Sequence, residues 1–102
     1  VGYKHISAEE FNKLRIENNH IILDVRAPEE VTEGFIPNYR RINFFNTSFK
    51  EELSQLDRSK TYLVYCRSGN RSGKACKIMS EMGFENLYNL QGGIQAWNIL
   101  NS

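Results

Sequence analysis

Short apolar runs and amphipathic polar stretches take turns along this chain. "HIILDVR" (residues 20–26), "RRINFF" (40–45), "TYLVYC" (61–66) and "NLYNL" (86–90) are compact, rich in β-branched or aromatic residues, and each predicts a strand. "HIILDVR" is apolar without alternation, as in a strand buried on both faces. Between the runs lie stretches with helical spacing. "SAEEFNKLRIE" (7–17) places Phe11 and Leu14 on one face and opens with Ser7 and Glu10 at capping-box spacing. "SFKEELSQL" (48–56) repeats that spacing with Ser48 and Glu51. "APEEVTEG" (27–34) predicts a short helix with Pro28 in its first turn and Gly34 past its end. "RSGKACKIMSEMGF" (71–84) predicts a helix starting near Ser72 and closed by Gly83, and "GGIQAWNIL" (92–100) a last one. Strand and helix alternating with short connections predict an α/β fold, a parallel sheet with helices on both faces. Ligands in such folds sit beyond the carboxyl ends of the strands. Two connections leave that edge with reactive side chains: "DVR" and "CRSGNRS".

Bulk properties narrow the classes. The chain has 102 residues, one domain over 1–102 with room for an ordinary core. Thirteen basic and 12 acidic residues leave a net charge of +1, which gives no general attraction to nucleic acid or to an anionic membrane. No apolar run nears the roughly 20 residues of a membrane helix. The start at Val1, without Met or a signal-like segment, reads as a processed form or an excised piece. The expectation is a soluble chain, cytoplasmic or exported with its signal removed, of open oligomeric state. Cys66 and Cys76 are too few for a disulfide framework. His5 and His20 stand alone and read as surface or edge residues, and no metal site is predicted.

The strand–loop–helix around Cys66 carries the candidate chemistry. Peptide N–H groups of residues 67 to 72 belong to a tight turn feeding a helix N-terminus, where such groups lack partners and can converge on an anion. Gly69 permits the positive φ of a closed turn, and Arg67 and Arg71 add positive charge. A thiol pKa lowered from about 8.5 to about 6.5 raises the thiolate fraction at pH 7 roughly 25-fold. Nucleophilicity falls about 8-fold with it, so the net gain is only about threefold. Ionisation alone is a weak reason for such a cradle. Holding an anion through a whole reaction cycle is a stronger one.

"CRSGNRSGKA" (66–75) resembles the active-site loop of the rhodanese family of sulfurtransferases. "ILDVRAPEEVTEGFIP" (22–37) resembles that family's other signature, and "MGFENLYNLQGGIQAW" (82–97) its closing segment. The matches keep the family's order from about Ile21 to Trp97. The resemblance implies a single rhodanese-like domain with a central parallel sheet of about five strands flanked by helices on both faces. It further implies that Cys66 takes sulfane sulfur from a small anionic donor such as thiosulfate. The persulfide then passes it to a thiophilic acceptor, cyanide or a protein or small-molecule thiol, with no metal and no organic cofactor. Where the family commonly has Gly-His-Ile-Pro-Gly-Ala, this chain has Phe35, Asn38 and Tyr39 in place of His, Gly and Ala, a change expected to touch packing or partner contacts.

The remaining residues divide by position. Asp24 is expected to bond loop amides or an arginine, and Arg26 to pair with Glu30 across the short helix. Arg67 is the candidate for meeting a donor's charge, and Arg71 either binds the anion or clamps the loop. Ser68 and Ser72 either donate to the sulfur or cap the helix, and Asn70 completes the loop. Cys76 and Trp97 are expected in the core, Lys74 and Lys77 on a solvated face, and Gly92 and Gly93 where backbone passes close to the loop. Two other classes compete. A cysteine-dependent phosphatase or arsenate reductase is disfavoured because Cys66 and Arg71 enclose four residues where the phosphatase pattern encloses five. A non-catalytic rhodanese-like interaction module is disfavoured by the presence of Cys66.

Overall fold

The computed structural model describes residues 2–17 and 20–102. Five parallel strands form one sheet: β1 (Tyr3–Ile6), β2 (His20–Asp24), β3 (Arg40–Arg41), β4 (Thr61–Tyr65) and β5 (Asn86–Leu90). Their order across the sheet is β1-β5-β4-β2-β3, which puts β4 in the middle. Among the described residues four α-helices cover it: α1 (Ala8–Ile16), α2 (Phe49–Ser54), α3 (Asn70–Glu81) and α4 (Gly93–Leu100). A 3₁₀ helix, Pro28–Glu33, follows β2. None of the described helices is long and apolar enough to cross a membrane.

The period-2 geometry of β4 divides the core. Tyr62, Val64 and Cys66 turn to one face, against Phe49 and Leu53 of α2 and Ala75, Cys76 and Met79 of α3. Leu63 and Tyr65 turn to the other, against Phe11 of α1 and Ile94 and Trp97 of α4. Phe11 and Trp97 meet edge to face at 6.3 Å and join the two helices of that layer. The expected α/β sandwich is therefore the fold, with Cys76 and Trp97 in its core and Lys74 and Lys77 exposed.

Several boundaries differ from expectation for identifiable reasons. β1 has no apolar run to announce it, because an edge strand with only Ile6 buried can keep Lys4 and His5 polar. "RRINFF" pairs as a strand only at Arg40–Arg41, although the Ile42 and Phe44 amides still bond the carbonyls of Asp24 and Val25. "APEEVTEG" winds as a 3₁₀ helix, and Gly34 leaves it at φ +105°. Ser7 caps α1 through the Glu10 amide. The box expected at α2 does not form, because the Ser48 hydroxyl donates to the Glu52 carboxylate instead. α3 starts at Asn70, two residues earlier than expected, since Gly69 at φ +97° already turns the chain into the helix. Gly83, at φ +100°, closes α3 as expected: its amide bonds Ser80 O and that of Phe84 bonds Met79 O, a Schellman pair.

At the carboxyl edge, β2 ends in a buried ionic hub. Asp24 accepts from the Arg26 amide, Nε and Nη2, from Arg41 Nη2 at 3.3 Å and from the Tyr65 hydroxyl at 3.0 Å. Arg26 spends its other donors on the carbonyls of Glu30 and Gly34. Burial opposes the Arg26 charge, and the hydrogen bonds and charge of Asp24 outweigh it, so its pKa is raised. Burial drives the Tyr65 phenol upward, so it stays a donor. Removing one member of a fully buried pair leaves an uncompensated charge. Asp24→Asn is accordingly expected to lower unfolding stability by about 3–5 kcal/mol, read by urea denaturation. A loss below about 1 kcal/mol would mean that the hub is not a keystone.

Candidate active site

Cys66 is the first residue beyond β4, with 1 % of its surface exposed. Its Sγ faces three donors: the Gly69 amide at 3.1 Å, the Ser72 amide at 3.4 Å and the Ser72 hydroxyl at 3.3 Å. Burial pushes the thiol pKa up. The Ser72 hydroxyl and the amides of Ser72, Gly69 and Ser68 outweigh burial, so the pKa lies below that of an ordinary thiol. The predicted cradle is present. Ser72, the third residue of α3, donates to the sulfur through its amide and its hydroxyl; it does not cap the helix, whose N-cap is Gly69.

The first carbonyls of the loop need donors of their own, and α4 supplies them. The amides of Ile94 and Gln95 bond the carbonyls of Cys66 (2.9 Å) and Arg67 (3.3 Å). Such close passage of two backbones explains Gly93. A Cβ there would lie 2.6 Å from Cys66 O and nearer still to the Arg67 carbonyl, and the residue has φ +58°. Gly69 is also hemmed in, with Leu90 O 3.1 Å from where its Cβ would be.

Asp24 bonds arginines as expected, but the expected Arg26–Glu30 pair does not form. Arg26 reaches only the backbone carbonyl of Glu30, because Asp24 claims its guanidinium. The Glu30 carboxylate instead holds Arg71 on two nitrogens, at 2.8 and 2.7 Å, and accepts the Ala27 amide. Arg71 is thus the clamp between the loop's helix and the 3₁₀ helix. Its ring-facing side lies over Phe45. Arg67 is 57 % exposed and 3.4 Å from Glu33, a pairing that water and salt largely screen. Ser68 and Asn70 are exposed at the rim. Cys76, fully buried, has a thiol pushed up to about 12 by burial and by the nearby Cys66 charge, so it stays protonated. Asn38 adopts φ +66°, a left-handed turn that asparagine tolerates, where the resembled pattern has glycine. Phe35 is 52 % exposed and stacks edge to face on Tyr39. No three described His, Cys, Asp or Glu side chains gather to hold a metal ion.

Asn89 was not foreseen. It is buried near the end of β5 and bonds both Ser72 and Gly69 O. The signal available was a polar residue between Leu87 and Leu90 in an interior strand, where burial demands a partner.

Comparison with known proteins gives concordant matches. The family described as Rhodanese-like domain matches residues 7–100. The Bacillus subtilis protein YtwF is 39% identical over 85 residues, 83% of this chain and 80% of that one. The thiosulfate sulfurtransferase GlpE of Ectopseudomonas mendocina is 30% identical over 95 residues, covering 93% and 84%. A tRNA uridine(34) hydroxylase of Cytophaga hutchinsonii is 34% identical over 94% of this chain, which spans only 32% of that relative. The crystal structure of a rhodanese-related protein from Thermoplasma volcanium superposes with a TM-score of 0.83 at 33% identity, covering 96% of this chain and 93% of that one.

The Arg71 clamp has a pH signature. Hydrogen bonds from Arg71 lower the Glu30 pKa from 4.5 to about 2, against the opposing effect of burial. A depressed folded-state pKa stabilises above the unfolded value and is lost as pH falls from about 4.5 towards about 2. The ceiling is about 3 kcal/mol, which partial solvent access reduces to about 1–2 kcal/mol. Glu30→Gln should remove that much stability at pH 7 and flatten the acid limb of the stability curve. An unchanged acid limb in the variant would mean that Glu30 and Arg71 do not clamp the loop.

Proposed function

The chain belongs to the rhodanese-like domain family, and from that premise we propose a sulfurtransferase that works through a persulfide on Cys66. The observation that carries the reading is the convergence of two backbone amides and one hydroxyl on a buried thiol at the end of a central strand. The Cys66 thiolate attacks the outer sulfur of thiosulfate. The Sγ–S bond forms, the sulfur–sulfur bond of the donor breaks, and sulfite leaves with its electron pair. No general acid is required, because sulfite is a good leaving group. A thiophilic acceptor, cyanide or a thiol, then attacks the outer sulfur, and the Cys66 thiolate returns. Each state of the cysteine is an anion, so the same donors serve the whole cycle. Arg67 adds a screened positive charge at the mouth for an incoming anion.

The phosphatase alternative is weaker on two counts. The loop encloses four residues between Cys66 and Arg71, and the Arg71 guanidinium is committed to Glu30 through two nitrogens. The interaction-module alternative leaves the converging donors without a purpose.

Incubation with thiosulfate should add one sulfur atom to Cys66 and none to Cys76, read by peptide mass spectrometry, and cyanide should remove it. Cys66→Ser should abolish both steps, and aryl phosphates should not be hydrolysed. An unmodified Cys66 after exposure to several sulfane donors would falsify the sulfurtransferase reading. Phosphate release dependent on Cys66 would favour the phosphatase.

A further inference from the structure

The chemistry above gives Asn89 no part, yet its carboxamide joins three segments around Cys66. Nδ2 lies 3.1 Å from Gly69 O and 2.9 Å from Nδ1 of the exposed His5 on β1. Oδ1 accepts the Ser72 hydroxyl at 2.5 Å, and the same hydroxyl oxygen is 3.3 Å from Cys66 Sγ. Ser72 and Asn89 are both buried, so water does not complete these bonds.

A serine hydroxyl has one proton. It can be given to Asn89 or to Cys66, not to both at full strength. Asn89 cannot withdraw by turning its carboxamide over, because Gly69 O accepts only, and a reversed amide would face it with a second oxygen. His5 favours the same orientation in the tautomer with its proton on Nε2, which leaves Nδ1 to accept. The carbonyl of Asn89 therefore stays aimed at Ser72. While Cys66 is a thiol, its S–H can donate to Ser72 Oγ as Ser72 donates to Asn89. Once Cys66 is a thiolate, it competes with Asn89 for the Ser72 proton.

We propose that Asn89 is a positioning residue: held in one orientation by Gly69 O and His5, it competes with Cys66 for the single proton of Ser72 and so limits how far the thiolate is stabilised. Such a limit suits a nucleophile, because a thiolate whose basicity is lowered too far attacks more slowly. This rests on the reading of Cys66 as the reacting thiol. The other titratable groups around that thiol are Arg71 with its partner Glu30, Cys76 on α3 and, through Asn89, His5.

The test follows iodoacetamide alkylation of the Cys66 peptide against pH in the full chain. Asn89→Leu, close to isosteric and without an acceptor, should free the Ser72 proton and lower the alkylation midpoint by about half to one pH unit. Asn89→Ala should shift it in the same direction, which guards against a folding defect peculiar to leucine. Ser72→Ala should raise the midpoint, and in that background Asn89→Leu should have no further effect. A residue that merely braced the loop would do the opposite, since loosening the cradle returns the thiol towards its ordinary value. A rise in the midpoint for both Asn89 variants, or an equal shift with and without the Ser72 hydroxyl, would overturn the proposal. Thiosulfate loading of wild-type chain is run alongside. Its failure with the alkylation pattern intact would count against sulfur transfer alone and leave the role of Asn89 standing.

Discussion

Holding a sulfur anion in a tight backbone turn needs N–H groups aimed inward, and the carbonyls of that turn need donors of their own. In this protein the requirement falls on the segment from Cys66 to Ser72. The Cys66 and Arg67 carbonyls are taken by the first amides of α4, which have no intrahelical partners. Gly93 lets the two backbones approach closely enough for that exchange. The helix start supplies donors, the loop supplies acceptors, and the amides of Gly69 and Ser72 are left to face Sγ. The strand order serves the same end, because β5 lies beside β4 and delivers α4 next to the loop.

Two ionic constructions hold the neighbouring ground. Asp24, Arg26, Arg41 and Tyr65 knit the ends of β2 and β4 to β3 and the 3₁₀ helix, and the Glu30–Arg71 pair ties that helix to α3. The first is buried and serves position, since a buried ion pair is seldom a source of net stability. The second is partly exposed and commits the Arg71 guanidinium to Glu30. Under the proposed sulfur transfer, substrate charge would fall to the backbone, Ser72 and the screened Arg67.

The parts of the site legible in the sequence are those whose chemistry is local. Cys66, Gly69 and Ser72 lie within seven residues at a strand-to-helix junction, so spacing and the glycine's permitted φ suffice to foresee the cradle. Gly93 makes the close approach to the loop expected of it, whereas a Cβ at Gly92, at φ +81°, would meet Ala96 of its own helix. Partner choice was not legible. Arg26 and Glu30 sit at ideal spacing for each other, but the fold brings Asp24 within reach of one and Arg71, 41 residues away, within reach of the other. β1 was missed because an edge strand need not look apolar. Asn89 was missed because its partners come from α3 and β1, and only the assembled sheet makes its burial and bonding evident.

The Gly69 and Ser72 amides that face Sγ should hold Cys66 as an anion. The direct measurement is a pH titration by NMR, following Cys66 Cβ together with the amide resonances of Gly69 and Ser72. One shared midpoint below about 8.5 is expected, with both amide protons moving downfield as the thiolate forms, and no titration of Cys76 in that range. A Cys66 midpoint at or above about 8.5, or Gly69 and Ser72 amides that ignore the ionisation, would contradict it.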